Sequence, residues 1–151
     1  MDSSVTALLL KKQGFNVIAV FMKNWSQGPF CNVKEDQKDA RSVATKLKIP
    51  FYTLNFEQEY KRKVLAPFIA GIKAGITPNP DVLCNEYIKF GVFLNKALKL
   101  GADFVATGHY ARIKQSVTEL PTYHLLKGVD ETKDQSYFLY RLNQFKLSKT
   151  I

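Results

Sequence analysis

The chain has 151 residues, 46% of them hydrophobic and 13% aromatic, which is enough for one packed domain and argues against a disordered protein. It contains no apolar run of eighteen residues, which excludes a membrane-spanning helix of ordinary length. Its 22 basic and 13 acidic residues give a net charge of +9, which fits a polyanionic partner such as RNA, although the lysines are scattered and a solvated basic surface explains the charge almost as well.

The first two elements are predicted to be a helix and a strand. Apolar residues from Val5 to Leu10 lead through two lysines to Gly14, which can adopt the left-handed conformation that ends a helix. Residues 2–4 lie where capping side chains are expected. Residues 15–22 are apolar and rich in β-branched side chains, as in a strand covered on both faces of a parallel sheet.

The next stretch alternates helix and strand again. After a loop over residues 23–32, residues 33–47 form a predicted helix with charges on one side and an apolar stripe on the other: Val33, Ala40, Val43, Ala44 and Leu47. Residues 49–56 then supply a short strand. Residues 57–73 form another helix, which Pro67 should kink or break.

A proline-rich loop separates this helix from the next one. Pro78 and Pro80 fix φ at alternate positions, so the Pro-Asn-Pro run is a stiff, non-helical loop. Asp81 can cap the following turn, and it shares one face with Cys84 if that turn is helical. The helix dipole favours the thiolate and the carboxylate opposes it, and the sequence leaves open which effect is larger. Alternatively, Asp81 is only an N-cap and Cys84 a small buried hydrophobe.

Residues 85–100 resume helical spacing and end at Gly101, with an apolar stripe formed by Ile88, Val92, Phe93, Ala97 and Leu100. Residues 103–107 are predicted to be a buried strand that runs into a Gly-His-Tyr turn. Ligands bind at that carboxyl edge in open α/β sheets.

Three short elements are predicted to complete the chain. Residues 111–114 and 123–127 resemble short strands joined by a loop around 118–121, and an aromatic-rich helix begins at Tyr137. The order of helices and strands predicts an α/β fold with a doubly wound parallel sheet, in which a first strand ahead of the opening helix is missing.

Several motifs together resemble one known family, the tRNA-specific 2-thiouridylases of the ATP-pyrophosphatase (PP-loop) superfamily. The resemblance covers essentially the whole chain and lies in these stretches: MDSS at 1–4, VFMKNW at 20–25, TPNPDVLCN at 77–85, ATGHYAR at 106–112 and KDQSYFLY at 133–140. It implies a Rossmann-like fold of the adenine nucleotide alpha hydrolase type. Residues 1–115 would be the PP-loop domain without its first strand, and 116–151 the start of a tRNA-contacting region.

The resemblance also implies an activity, the ATP-dependent 2-thiolation of the wobble uridine of tRNA. ATP, with Mg²⁺, adenylates the C2 oxygen, and sulfur from a cysteine persulfide then displaces AMP. The sulfur would come from a relay protein or a cysteine desulfurase. A protein of this kind is cytoplasmic, or mitochondrial if organellar, and the start of the chain shows no secretory signal.

The resemblance assigns ATP contacts to five residues: Asp2, Ser3, Ser4, Met22 and Gly108. Hydroxyls and backbone N–H groups at a helix N-terminus suit phosphate, and a glycine leaves room beneath a nucleotide. The plain alternatives are helix capping for residues 2–4 and core packing for Met22.

Catalysis falls, by the same resemblance, to Cys84 and Asp81. Cys84 would attack the persulfide sulfur or resolve it as a disulfide, and Asp81 would act as general base or orient the cysteine. The target base would meet Asn79, Pro80 and Asp81.

The remaining tRNA contacts are assigned to His109 and to a turn formed by Lys133, Asp134 and Gln135. A histidine after a strand is otherwise a structural hydrogen-bonder, and Asp134 is otherwise a helix cap. His124, inside a predicted strand, is read as structural. No metal-ligand cluster is visible, and two unpaired cysteines support neither a zinc site nor an iron–sulfur cluster.

Two departures from the family pattern stand out. The Ser-Gly-Gly half of the nucleotide loop and its strand are absent, so we expect weakened ATP binding, and the family's persulfide-bearing cysteine would lie beyond Ile151. These features suggest a fragment or a mis-started gene with negligible turnover by itself, which the DNA upstream of Met1 would test. Cys31 cannot be given the missing role.

Two alternatives remain open from the sequence. The chain could be another PP-loop ATP pyrophosphatase, such as an argininosuccinate-synthase-like or amide-forming ligase, although such enzymes have no use for a proline-flanked Asp-x-x-Cys. It could also be a non-catalytic tRNA- or nucleotide-binding remnant.

Overall fold

The computed structural model describes residues 1–26, 32–117 and 121–151. Cys31, much of the predicted loop at 23–32 and most of the predicted loop around 118–121 lie outside the described residues. The elements in chain order are α1 (Asp2–Lys12), β1 (Ala19–Lys23), α2 (Val33–Leu47), β2 (Phe51–Asn55), α3 (Glu57–Tyr60), α4 (Ala66–Lys73), α5 (Pro80–Leu83), α6 (Leu94–Lys99), β3 (Ala111–Gln115), β4 (Tyr123–Lys127) and α7 (Gln144–Ser148). π-Helical segments join α3 to α4 (Lys61–Leu65) and α5 to α6 (Cys84–Phe93).

Two strand pairs organise these elements. β1 and β2 run parallel, in register from Ala19 opposite Phe51 to Lys23 opposite Asn55, while β3 and β4 form an antiparallel hairpin. Helices that alternate with parallel strands agree with the predicted α/β class. Within the described residues β1 pairs with β2 alone, so its other edge carries no strand.

The predicted strand at 103–107 is wrong as a strand. Asp103 lies in a bend, and the segment makes only an isolated parallel bridge, in which Val105 lies opposite Thr150. A strand needs a continuous partner, and in the described part of the chain Thr150 is the residue that pairs with this segment.

The first two long helices largely follow the sequence pattern. α1 ends at Lys12, and Gly14 has φ +90°, the left-handed conformation expected of it. Residues 2–4 lie inside the first turn, which begins at Met1 without a side-chain cap, so the predicted capping is wrong. In α2 the predicted apolar stripe is the less exposed side, and Ala44 is fully buried.

The segment at 57–73 stays helical but is irregular where Pro67 approaches. The π-helical turn Lys61–Leu65 immediately precedes it, and Pro67 then falls in the first turn of α4. A proline ring clashes with the carbonyl four residues earlier and donates no N–H, so a local change of helix type before it is the expected result.

A second π-helical segment changes which side chains are buried in the next helix. The residues buried there are Asn85, Ile88, Phe90 and Leu94, whereas Leu100 of the predicted stripe is 74% exposed. A stripe at 3.6-residue spacing does not describe a segment whose bonds run from residue i to i+5. Backbone angles leave the helical region at Phe90.

The main apolar core forms where these helices meet the parallel strands. Phe56, Val64 and Ile88 are buried together, and we call them the central cluster. Half-buried side chains pack around it, among them Met22, Leu54, Tyr60, Cys84 and Phe93. The central cluster therefore joins the end of β1 to the helix that carries the candidate cysteine.

The predicted aromatic-rich helix at Tyr137 is also wrong. Residues 136–138 form a single 3₁₀ turn, and a helix begins only at Gln144. The Asn85 side chain donates to the carbonyl of Phe138 at 3.4 Å, and Lys146 donates to the carbonyl of Glu86 at 2.8 Å. These contacts hold the segment against the π-helical stretch instead of letting it continue as a helix. Across the described ranges, no helix is both long and apolar enough to span a membrane.

Candidate functional site

Asn79 begins the helix that carries the candidate cysteine. Its Oδ1 accepts hydrogen bonds from the backbone N–H groups of Asp81 (2.9 Å) and Val82 (3.2 Å), which makes Asn79 the N-cap of α5 and Pro80 its first residue. The expectation that Asp81 caps this turn is therefore wrong. Both Asn79 and Asp81 are exposed, so the loop presents a carboxamide and a carboxylate to solvent.

Cys84 lies one turn after Asp81, half-buried against the central cluster. Burial raises the pKa of the thiol, the Lys89 ammonium lowers it, and the Asp81 carboxylate raises it again, in decreasing order of size. The net pKa is raised, and its largest cause is desolvation, which the sequence reasoning did not weigh against the helix dipole and the carboxylate. At neutral pH this sulfur is a protonated thiol, and activation as a nucleophile requires a base or a change in its surroundings.

Lys89 is close enough to both Cys84 and His109 to affect each of them. In an α-helix, positions five apart point in different directions, but a π-helix bonds residue i to i+5 and brings Lys89 above Cys84. The Lys89 ammonium also lies 3.5 Å from Nε2 of His109. Lys89 therefore links Cys84 to His109, which follows the segment at 103–107.

His109 is a neutral, internally bonded histidine. Burial first, and the Lys89 charge second, lower its pKa from 6.5 to about 4. Because an ammonium only donates, Nε2 must accept from Lys89, and Nδ1–H then donates to Oγ1 of Thr107 at 2.7 Å. His109 also borders a cavity of about 50 Å³ walled mainly by aliphatic side chains. These contacts are those of a structural hydrogen-bonding histidine, the alternative that the sequence left open for His109. Contact of His109 with tRNA stays a prediction.

Gly108 lies directly against the start of α1. A Cβ added there would lie 2.6 Å from the backbone nitrogen of Ser3 and 2.7 Å from the carbonyl carbon of Asp2. The glycine is thus required by close contact between two backbone segments. The contact brings together Asp2, Ser3 and Gly108, three of the five residues predicted to hold ATP.

Tyr110 connects this junction to the predicted tRNA-contacting turn. Its hydroxyl donates to Oδ1 of Asp2 at 3.3 Å, and its backbone N–H donates to Oε1 of Gln135 at 3.1 Å. The backbone N–H of Gln135 donates to the carbonyl of Tyr110 at 2.9 Å. The Lys133 ammonium lies 4.7 Å from the centre of the Tyr110 ring. The residues predicted to contact ATP therefore adjoin the turn predicted to contact tRNA.

Asp134 shapes the turn between Lys133 and Gln135. Its Oδ1 accepts from the backbone N–H groups of Gly128 and Ser136, each at 3.0 Å, and its Oδ2 accepts from the Ser136 hydroxyl at 2.9 Å. The two backbone hydrogen bonds, from Gly128 and then Ser136, hold the pKa of the carboxyl below its ordinary value. Asp134 therefore shapes the turn, but it does not cap the next helical segment, because the N-cap of the 3₁₀ turn at 136–138 is Gln135, which makes no side-chain cap bond. A direct contact of Asp134 with tRNA stays a prediction.

Met22 lies near the carboxyl end of β1 and packs against the central cluster. Its core-packing alternative is therefore observed, and Met22 and Cys84 share one cluster. Two residues further on, the Oδ1 atom of Asn24 is buried with no hydrogen-bond partner in the described part of the chain. A buried acceptor at the carboxyl end of a parallel strand suits a ligand amino group.

The residues near Gly108 fit a phosphate group. The first N–H groups of a helix lack intrahelical partners, and at the start of α1 they lie beside two serine hydroxyls and a glycine without a Cβ. Mg²⁺ is commonly held by one or two carboxylates together with phosphate oxygens, so Asp2 is its candidate ligand here. Within the described ranges Cys84 is the one cysteine, and no group of three or more His, Cys, Asp or Glu side chains lies close enough together to hold a metal ion.

Sequence reasoning missed three residues: Tyr60, Lys89 and Tyr110. The pKa of Tyr60 is raised by burial, then by the nearby Cys84 and Asp81, which places its ring beside the candidate cysteine. Of the three, Tyr110 is the one that the sequence could have indicated, because it belongs to the Gly-His-Tyr motif. Lys89 had no signal, because its position depends on the π-helical turn.

The chain is similar to known proteins along its whole length. A family model of the tRNA methyl transferase HUP domain matches residues 1–151. Two similar curated proteins, both named tRNA-specific 2-thiouridylase MnmA, come from Streptococcus pyogenes serotype M1 (54% identical over 154 residues) and Alkaliphilus oremlandii strain OhILAs (53% over 154 residues). The alignments cover 100% of this chain and 41% and 42% of those relatives. The chain spans about two fifths of their length.

Proposed function

We propose, because this chain belongs to the tRNA methyl transferase HUP domain family, that it is the nucleotide-binding and thiol-bearing part of an ATP-dependent tRNA 2-thiouridylase. The family resemblance drawn from the motifs and the α/β fold class are both confirmed by this membership. The activity, its substrates and its partners are the proposal. It includes ATP, Mg²⁺, a tRNA with a wobble uridine, and a persulfide donated by a relay protein or desulfurase.

The observation that carries the proposal is the placement of Cys84. A loop fixed by two prolines and capped by Asn79 sets the cysteine one turn behind an exposed carboxylate. No ligase of the amide-forming type needs such a thiol, whereas sulfur transfer does. The relatives named for 2-thiouridine formation, 53–54% identical to this chain, support the same chemistry.

Each group of residues has a role in this proposal. The start of α1 and Gly108 hold phosphate, and bound ATP makes the uridine C2 oxygen a leaving group. Asn79, Pro80 and Asp81 meet the base. Cys84 loses its proton, with Asp81 as the nearby base and Lys89 stabilising the resulting thiolate. In one route the thiolate takes the outer sulfur of the donor persulfide and releases the donor thiolate, the new persulfide displaces AMP from C2, and the donor thiolate then attacks the Cys84 sulfur, so that a disulfide forms and 2-thiouridine leaves. In the other the donor persulfide itself displaces AMP, and Cys84 attacks the donor sulfur with the same two products.

The name of the family and the name of the two relatives differ in chemistry, since the first describes methyl transfer and the second 2-thiouridine formation. The thiol next to an exposed carboxylate favours sulfur insertion. A methyl transferase of this chain would attach a methyl group from a labelled donor to tRNA, and a thiouridylase would not. The product on tRNA therefore separates the two descriptions.

The test places this chain in a longer relative. In a chimera, residues 1–151 replace the matching part of the Streptococcus pyogenes relative, and the product tRNA is analysed by mass spectrometry after incubation with ATP and a persulfide donor. We expect a gain of one sulfur in place of one oxygen, its loss in Cys84→Ser, and its retention in the matched control Cys31→Ser. A chimera that binds tRNA but leaves it unmodified, or methylates it, would refute the proposal.

A further inference from the structure

Tyr110 makes contacts in three directions. Its hydroxyl bonds to Asp2, its backbone bonds twice to Gln135, and its ring lies under the Lys133 ammonium. The proposed function divides these three partners between phosphate binding and RNA binding.

We infer that Tyr110 is a positioning residue that couples RNA contact at Lys133 to the freedom of the Asp2 carboxylate at the phosphate site. The inference rests on the proposed function for the identity of its two ligands. It concerns this chain's own side chains and needs no turnover to be tested.

The backbone of Tyr110 is held in place from two sides. Two hydrogen bonds, at 3.1 and 2.9 Å, hold it to Gln135. On the other side Gly128 lies so close that a Cβ there would be 2.9 Å from the Tyr110 carbonyl oxygen. Only the ring and the hydroxyl remain free to respond to a change in their neighbours.

The Lys133 ammonium is the part that RNA would move. The exposed Lys133 ammonium is weakly held over the half-buried Tyr110 ring, whereas a phosphate oxygen offers a stronger, charge-assisted hydrogen bond. A phosphate close to the turn therefore draws Lys133 away from the ring.

Loss of Lys133 from the ring changes the bond at the opposite end of the side chain. A cation over the ring withdraws electron density and makes the phenol a better donor to Asp2. When the cation leaves, this bond, already long at 3.3 Å, weakens and releases the carboxylate. Asp2 is then free to bind a metal ion or to adjust to a phosphate. RNA binding has to loosen the Tyr110–Asp2 bond, so removing that bond beforehand should strengthen RNA binding.

The experiment measures the affinity of the 151-residue chain for an anticodon stem-loop RNA with an unmodified wobble uridine, at one fixed salt concentration. We expect Tyr110→Phe, which keeps the ring and changes no charge, to tighten binding about two- to four-fold, the low end of what one hydrogen bond contributes. Asp2→Asn should tighten it too, and the double variant should match Tyr110→Phe apart from the change in charge. Asp39→Asn on α2 supplies that charge correction, and Tyr52→Phe, an exposed tyrosine on β2, should have no effect.

Unchanged or weaker binding in Tyr110→Phe would overturn the inference, as would an Asp2→Asn effect that persists in the Tyr110→Phe background beyond the Asp39→Asn correction. A merely structural tyrosine would weaken binding when altered, and thermal unfolding of each variant identifies that case. Absence of RNA binding by the unaltered chain also overturns it. If RNA binds with the expected coupling but the chimera fails to thiolate, the proposed function fails and the coupling stands.

Discussion

Replacing Gly108 with alanine should push apart the two backbone segments that form the proposed phosphate-binding end of the site. The new Cβ would lie 2.6 Å from the Ser3 nitrogen, about 0.8 Å short of the 3.4 Å at which ordinary contact begins. Both neighbours are backbone atoms, so no side-chain rotation relieves the clash. Over-packing of this kind costs about 1–3 kcal/mol. For a chain of this size, a loss of about 2 kcal/mol lowers the melting temperature by roughly 4–8 °C.

The assay is urea unfolding of Gly108→Ala together with amide chemical shifts in ¹⁵N NMR spectra. The comparison variant is Gly14→Ala at the other end of α1, where a Cβ meets nothing within 4 Å but φ is +90°. Both variants lose stability, one through contact and the other through backbone strain. Only Gly108→Ala should shift the amides of residues 2–6. An unchanged urea midpoint, or unshifted amides at residues 2–6, would refute the reasoning.

Three further outcomes are expected from the described contacts. In a Cys31→Ser background, Asp81→Asn should lower the pKa of Cys84 and Lys89→Met should raise it, because the carboxylate raises this pKa and the ammonium lowers it. The pH dependence of iodoacetamide alkylation measures both shifts, and shifts in the opposite sense would contradict the placement of these two charges beside the thiol. Because the folded pKa of His109 is about 4 and the unfolded value 6.5, the unfolded state takes up the proton first, so stability is lost as the pH falls through this window, and the loss is absent in His109→Gln. Asn79→Ala should cost about 1 kcal/mol in urea unfolding through loss of the cap, whereas Asn79→Ser should cost only a few tenths, and equal costs would argue against the cap.

The parts of the fold that sequence predicted well depend on local chemistry. The apolar stripe of α2 can be predicted because one side of the helix packs against the protein and the other faces water, so the two sides differ in residue type. The left-handed Gly14 and the non-helical Pro78 and Asn79 likewise follow from single residues, whereas Pro80, predicted to belong to the same loop, is the first residue of α5. The misplaced cap is an error of the same local kind, since Asn followed by Pro is itself the signature of a cap and a first residue.

The parts that sequence missed depend on distant partners. Residues 103–107 have the composition of a strand, but a strand exists only where a neighbour pairs with it, and Val105 alone finds one. The contact of Gln135 with Tyr110 spans 25 positions, and no spacing rule links them. Hence the candidate residues were predicted as separate motifs, while their junction was not.

The π-helical stretch from Cys84 to Phe93 fixes where the sulfur points. Each residue of an α-helix turns the chain by about 100°, so removing one residue from this wide segment and letting it tighten would swing Asn79, Asp81 and Cys84 around the axis by about that angle relative to Leu94. The thiol would leave the side of Tyr60 and Met22 although every side chain of the loop remained. The aim of this cysteine is therefore set by how many residues the stretch contains, and a shortened chain would keep the motif but lose the site.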